Sequence, residues 1–467
     1  MQASIFLSIK IDFLTMCVII KTRLNMSNNI IDDNLENLEP DPYLPKSVLT
    51  GNQIVLLLND LLIQLNNELG LTCEQTAFLA TTIAMNDSSK KDHSLKNIFL
   101  ISLFHLIGVQ RFFGEKYTCL SSLTPSQKGK CFIYAYSYLK HMSPLGDAAK
   151  ALIYYDKKYN PILAEKIPQI EDAALIFDAQ KILFMLRDKE FNYTDEDLEN
   201  LKATTSTSKY VEIFKNIDSE KNITKQLKIK TYKESLSQWN DTFKYTEEET
   251  ISLLKMLIYV MDFKSTQTVR HTINTASYAT TIGELAGCST EQINKLYTAA
   301  LLHDLGKMAI PESILESSTT LSMVEFTLMK AHVEYTIKLL QNVIPEDVFN
   351  IAVRHHEKLN GTGYPYGLTA KDLSIEERIL TIADIVSALI DSRTYKTEFS
   401  KEKVIEICND MANKGQVDKN ITEIVLNNFE KLKEDASFRN KFMSAPLGLV
   451  EMLFHEEMDY ESLEQPA

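Results

Sequence analysis

LYTAALLHDLGKMAIP, residues 296–311, decides the fold. Apolar side chains recur at three- and four-residue spacing as far as Leu302, the pattern of a helix buried along one side. The run then gives way to His303, Asp304, Gly306 and Lys307. NIFLISLFHLIGVQRFF (97–113) has the same layout, with His105 aligned on His303 and Gly108 on Gly306. VLLLNDLLIQLNNEL (55–69) reads as another buried helix. Only 14 Gly and 12 Pro in 467 residues leave few turn signals, which favours long helices over a many-stranded sandwich. The fold class is therefore all-α.

Two further matches follow in the same order and make the resemblance between the halves a repeat. AFLATTIA (77–84) echoes SYATTIGE (277–284), and LIFDAQKILFMLR (175–187) overlies TIADIVSALIDSR (381–393). The second match places Asp178 on Asp384 and Arg187 on Arg393. In the first copy Leu106 replaces Asp304, Val109 replaces Lys307, and Tyr154-Tyr155-Asp156 falls near His355-His356-Glu357. That leaves at most His105 and Asp178 as ligands, too few for a metal site. The first copy is expected to pack as a bundle without chemistry. Its role would be an interface, toward a second copy of the chain or a signalling protein, or as a brace for the other half.

The expected organisation is a flexible polar lead-in over 1–46, a degenerate non-catalytic bundle over 47–190, a solvated connector over 191–246, a catalytic bundle over 247–435 and a polar tail over 436–467. A formal charge of −14, from 63 acidic residues against 49 Lys and Arg, argues against a broad DNA or RNA surface. The apolar run from Phe6 to Ile20 is interrupted by Lys10 and Asp12 and is too short to span a bilayer; Met26 is a second candidate start. Six scattered cysteines form no C-x-x-C pair, so reduced thiols and a cytoplasmic location are expected.

Five of the nine histidines lie between 271 and 356: His271, His303, His332, His355 and His356. Asp304 follows His303 directly, and Asp384 sits between Ile382, Ala383, Ile385 and Val386. A carboxylate buried without a cation or several donors is very costly, so a metal is the economical compensator for Asp384. Imidazole and carboxylate together suit Mn, Fe or Zn.

HDLGK (303–307), HHEKLNGTGYP (355–365), ADIVSAL (383–389) and SRTYK (392–396) together resemble the HD-GYP family of bacterial cyclic di-GMP phosphodiesterases. The resemblance covers about 250–432 and includes the spacer IPESILESSTTLSMVEFTLMKAH (310–332). It implies an all-helical HD-type bundle with a centre of two or three metal ions, usually Fe or Mn; together with the repeat, the chain reads as two HD-like helical bundles, the C-terminal one holding that centre. His271, His303, Asp304 and Asp384 match the first site and His332, His355 and His356 the second, with Asp304 bridging. It further implies attack of an activated hydroxide on phosphorus, opening cyclic di-GMP to pGpG and onward to GMP. Lys307 matches a lysine facing the scissile phosphate, and Tyr364, Arg393 and Lys396 match positions around the nucleotide. Glu357 is expected to orient a ligand histidine.

Three departures stand out. Gln267 occupies the place of a Glu found in members with a third ion, Asn274 that of an Arg, and Ser317-Ser318-Thr319 that of Lys-Pro-Gly. A neutral amide is a poor bridging ligand, so two ions are expected rather than three. Two other readings compete with the phosphodiesterase. One is a receptor that binds cyclic di-GMP and signals through partners with little turnover; the other is an HD-type phosphohydrolase acting on another nucleotide. Retention of all seven ligands speaks against the first, and the HHE and GYP segments against the second.

Overall fold

The computed structural model describes residues 45–88, 94–114, 120–157, 159–317, 319–390 and 399–463, all within one compact unit. They contain helices and no strand; the single isolated bridge joins Asn360 and Thr369. None of these helices is long and apolar enough to cross a membrane. The lead-in lies outside the described residues apart from its last two positions.

The N-terminal half is built from α1 (Gly51–Leu65), α2 (Asn67–Met85), α3 (Leu95–Phe104), α4 (Ile107–Phe113), α5 (Pro125–Met142), a 3₁₀ segment (Gly146–Tyr154) and α6 (Gln169–Asp188). Side-chain caps start most of them: Thr50, Asn66, Ser94 and Thr124 each accept a first-turn N–H. The C-terminal half comprises α11 (Glu247–Val260), α12 (Thr266–Leu285), α13 (Thr290–Leu302), a 3₁₀ turn (Leu305–Ala309), α14 (Met323–Lys330), α15 (His332–Leu340), α16 (Glu346–Val353), α17 (Ile375–Ile390), α18 (Lys401–Asn413), α19 (Lys419–Asn427) and α20 (Phe429–Leu463). Between the halves run α7 (Asp195–Lys202), α8 (Ser208–Lys221), α9 (Ile223–Ile229) and α10 (Tyr232–Thr242).

The repeat read from the sequence reappears in the packing. α2 packs on α3 and α6 as α12 packs on α13 and α17. Gly108 and Gly306 do the same work in each half. A Cβ on Gly108 would lie 1.9 Å from the Cys131 carbonyl oxygen, and one on Gly306 would lie 2.0 Å from that of His332. Only glycine allows so close an approach of two backbones. The same comparison puts Cys131 where the other half has His332.

One pairing in the repeat is corrected. Asp178 does not face His105; its carboxylate accepts the N–H groups of Ser206 (2.6 Å) and Thr207 (3.1 Å). Gln180 takes the place opposite His105, its Nε2 donating to His105 Nε2 at 2.7 Å. Tyr155 donates to Gln180 Oε1 at 2.5 Å, and His105 Nδ1 donates to the Ser102 carbonyl at 2.6 Å. These neutral groups satisfy one another, and burial pushes the His105 imidazole down to about 4. Leu106 and Val109 are buried in the surrounding apolar core.

The region expected to be a solvated connector is instead packed. Tyr210, Phe214, Ile223, Leu227 and Tyr232 are buried, Tyr232 donates to Glu74 Oε2 at 2.7 Å, and Trp239 stacks on Phe78. Large aromatic residues spaced among charged ones give these short helices an inner side that the overall polarity conceals. The expected polar tail is the helix α20, which lies along both halves. Arg439 donates to Ser277 and Thr281 on α12, Asn440 donates to Asn274 at 2.5 Å, and Phe454 packs on Phe112 and Tyr134. Asn274, the residue in place of an arginine, is thus buried against α20. Cys73, Cys131, Cys288 and Cys408 are free thiols; Cys17 and Cys119 lie outside the described residues.

Burial pushes the Asp178 carboxyl up to about 7, against the pull of the two N–H donors. A folded value above the unfolded one of roughly 4 means that its contribution is full below that pH and is lost as pH rises through 7. Asp178→Asn should therefore gain in melting temperature relative to the parent between pH 5 and pH 8. A difference that is flat or reversed across that range would contradict this reading of the site.

Candidate metal centre

The polar residues singled out between 271 and 384 converge at the centre of the C-terminal half. α12 presents His271, the end of α13 His303 and Asp304, the start of α15 His332, the segment after α16 His355 and His356, and α17 Asp384. Two groups have their donor atoms within 4.8 Å of one another: His271, His303 and Asp304, and His332, His355 and His356. Asp304 faces both groups. Its Oδ2 lies 3.1 Å from His303 Nε2 and 3.6 Å from His271 Nε2, while its Oδ1 lies 3.4 Å from His332 Nε2. Asp384 approaches His271 Nε2 at 2.9 Å through Oδ1 and His356 Nδ1 at 3.7 Å through Oδ2.

The orientation of the rings follows from their Nδ1 partners. His303, His332 and His355 each have Nδ1 within 2.6–2.7 Å of a backbone carbonyl, those of Ala300, Met329 and Ala352. A carbonyl can only accept, so Nδ1 carries a proton and Nε2 is the nitrogen turned inward, able to ligate whenever the ring is neutral. His332 Nε2 and His355 Nε2 then face each other at 3.5 Å with no proton of their own to share. His303 Nε2 and Asp304 Oδ1 are buried and make no hydrogen bond of acceptable geometry. Converging lone pairs and an orphaned carboxylate oxygen are what a divalent cation would satisfy. The residues fit such an ion.

The electrostatics show the demand for a cation: against its burial, Asp304 and Asp384 raise the His303 imidazole to about 10, holding a proton on Nε2 that a bound ion would displace. Burial would push the Asp304 carboxyl up, but His303, Lys307 and His332 outweigh it and hold the group well below the usual range. Asp384 is held low in the same way by His271 and His303. Burial pushes His332, His355 and His356 down, His356 to about 3, so these three are neutral and able to ligate. Lys307 Nζ sits 2.5 Å from Asp304 Oδ2.

Around this centre Tyr364 lies over His356, ring centroids 4.8 Å apart. Lys330 Nζ stands 5.5 Å from the Tyr364 ring, a cation at the mouth that the sequence reading passed over; its position two residues before His332 was the available signal. Arg393 and Lys396 lie outside the described residues. Glu357 does not orient a histidine. It is buried and accepts the N–H groups of Tyr366 (2.6 Å), Gly367 (3.1 Å) and Leu368 (2.9 Å), hooking down the loop that carries Tyr364.

Comparison with known proteins matches residues 253–421 to a family model described as HD domain. Residues 253–421 are thus an HD domain. The chain is similar to the 3'3'-cGAMP-specific phosphodiesterase 1 of Vibrio cholerae serotype O1, 26% identical over 72% of this chain and 81% of that one. It is also similar to the cyclic di-GMP phosphodiesterase response regulator RpfG of Xanthomonas campestris pv. campestris, 34% identical over 34% of this chain and 42% of the relative. Among solved structures, a cyclic GMP-AMP specific phosphodiesterase of V. cholerae (V-cGAP3) shares the fold. It aligns with a TM-score of 0.54 at 16% identity, covering 82% of this chain and 98% of that one.

Because Asp304 faces both groups of donors in the HD domain, Asp304→Ala is expected to lower metal content at both. Glu357→Ala, which unhooks only the loop, should leave the metal count unchanged. Anaerobic metal counting on the two variants and the parent separates these outcomes. Full metal content in Asp304→Ala would sink the shared-carboxylate geometry.

Proposed function

We propose that this chain is a metal-dependent phosphodiesterase that opens 3′,3′-cyclic purine dinucleotides. The observation that carries the reading is the Asp304 carboxylate, 1% exposed and divided between two clusters of inward-facing imidazoles. In this reading His271, His303, Asp304 and Asp384 hold one divalent ion and His332, His355, His356 and Asp304 the other; donor type allows Mn, Fe or Zn, and the HD-GYP resemblance implies Fe or Mn. Gln267 in place of a carboxylate favours two ions over three. Bound there, such a pair supplies charge stabilisation at the phosphoryl oxygens and an activated water.

The chain's own residues do the rest. Lys307 adds a positive charge beside Asp304, where a non-bridging phosphate oxygen enters, and so favours the more highly charged transition state. Tyr364 and Lys330 offer an aromatic face and a cation at the mouth, suited to a purine and its phosphate. Glu357 keeps the loop in place so that Tyr364 is already oriented when substrate arrives.

Between substrates, the sequence alone pointed to cyclic di-GMP. The V. cholerae relative aligned over 72% of this chain bears a name specific for 3′,3′-cGAMP, which puts that dinucleotide first and cyclic di-GMP second. The product is the linear dinucleotide formed when the ribose 3′-oxygen leaves phosphorus.

Manganese- or iron-loaded protein incubated separately with 3′,3′-cGAMP and cyclic di-GMP should give the linear product from each, with the larger kcat/KM for the mixed dinucleotide. Absence of turnover of both, in protein that carries its ions, would overturn the reading. Lys307→Gln should lower kcat/KM by roughly tenfold to a thousandfold while retaining metal. An unchanged rate in that variant would remove Lys307 from the chemistry.

A further inference from the structure

The helix α14, MVEFTLMK (323–330), is rich in apolar side chains, yet none of its residues is buried. Met323, Val324, Phe326 and Leu328 all stand exposed. A contiguous apolar surface that the core does not use marks a place where something binds. Both ends of this helix are fixed. At its start the Ser322 hydroxyl accepts the Glu325 N–H, and the Glu325 carboxylate accepts the Ser322 N–H at 2.8 Å. At its end the Met329 carbonyl accepts from Nδ1 of the metal-centre residue His332 at 2.7 Å. The apolar surface is thus held in register with the centre.

One side of α14 continues the mouth of the site. Lys330 Nζ stands 5.5 Å from the centroid of the Tyr364 ring and 5.3 Å from that of Phe326. Phe326 lies four residues before Lys330 and so on the same side of the helix. Tyr364 in turn rests on His356. A row therefore leads outward from the centre: an aromatic face, an ammonium, a second aromatic face. Phe326 is 52% exposed, so much of its ring is open to a ligand. Val324, as apolar and more exposed, is two residues away and about 200° around the helix, on the other side.

The order of this row matches the chemistry of a cyclic dinucleotide. When one phosphate of such a ring lies at the metal centre, the other stands across the ring, between the same two nucleosides. Base, phosphate and base then meet Tyr364, Lys330 and Phe326 in turn. We propose that Phe326 is the stacking surface for the outer purine of the bound dinucleotide, with Lys330 the cation for the phosphate that is not cut. The inference rests on the phosphodiesterase reading and deepens it by naming a second base subsite. Stacking reads the area of a base more than its edge, so this subsite favours purines and accepts adenine and guanine alike. The contact is the same before and during cleavage, so it acts on KM and not on kcat.

The test is steady-state hydrolysis of 3′,3′-cGAMP and of cyclic di-GMP by the manganese-loaded full chain, with sedimentation velocity on the same preparations. Phe326→Ala should raise KM by roughly fivefold to a hundredfold, with kcat close to that of the parent. Phe326→Tyr, which keeps a planar face, should restore the parent KM. Phe326→Leu, apolar but without that face, should behave like the alanine variant. Val324→Ala, on the other side of α14, should match the parent. A parent-like KM for Phe326→Ala, or a leucine variant as good as the tyrosine one, would overturn the stacking role. So would a loss in Val324→Ala as large as that in Phe326→Ala. A Phe326→Ala chain that changes oligomeric state at unaltered KM would make this face a contact between copies instead. Each of these results leaves the phosphodiesterase reading standing, whereas an ion-loaded parent that cleaves neither dinucleotide would overturn that reading and the inference with it.

Discussion

A carboxylate almost wholly removed from water, at Asp304, is the constraint around which the C-terminal half is arranged. Left alone, such a charge would cost several kcal/mol or protonate. Here imidazoles from three chain segments and the Lys307 ammonium surround it. The requirement reaches into the helix geometry. Helices must end, or break, where their orphan carbonyls can orient a ring, and Gly306 must lack a side chain so that the HD segment can lie against the His332 backbone. The N-terminal half has the same helix arrangement with the charge deleted, and its centre closes on neutral hydrogen bonds among His105, Gln180 and Tyr155.

Much of the centre was legible because polar side chains in apolar helices are rare and expensive. His303-Asp304 after an apolar run, and Asp384 between isoleucines and valine, announce themselves on that ground alone. The same logic fails where the polar residue is cheap. A serine within a helix carries no signal, so the approach of the Ser387 hydroxyl to the His271 ring, 3.1 Å, emerges only when α12 and α17 lie side by side. Glu357 adjoins two histidines in sequence, which suggested a task on the rings, yet its carboxylate turns to the loop nine to eleven residues later.

The repeat illustrates a second limit. Apolar periodicity aligned Asp178 with Asp384, but the spatial counterpart is Gln180. Because α6 is buried on almost every side, a slip of two residues still lays apolar on apolar while rotating a side chain by about 200° around the helix. Asp178 consequently points to the opposite side, where it anchors Ser206 and Thr207. Composition misled in a similar way over 191–246 and beyond 435. Charged residues dominate there, and the few aromatics that dock each helix are too sparse to register as a period.

The tie between Glu357 and the backbone of residues 366–368 has a mechanical consequence. Glu357 follows His356 in the chain, and Tyr364 rests on the His356 ring. Loop and ring are thus clamped at two points, one covalent neighbour and one stacked face. Force applied to the loop is delivered to His356 with little slack. A molecule that lifts Tyr364 in order to enter strains the cluster beneath it, and one that presses Tyr364 down stiffens that cluster.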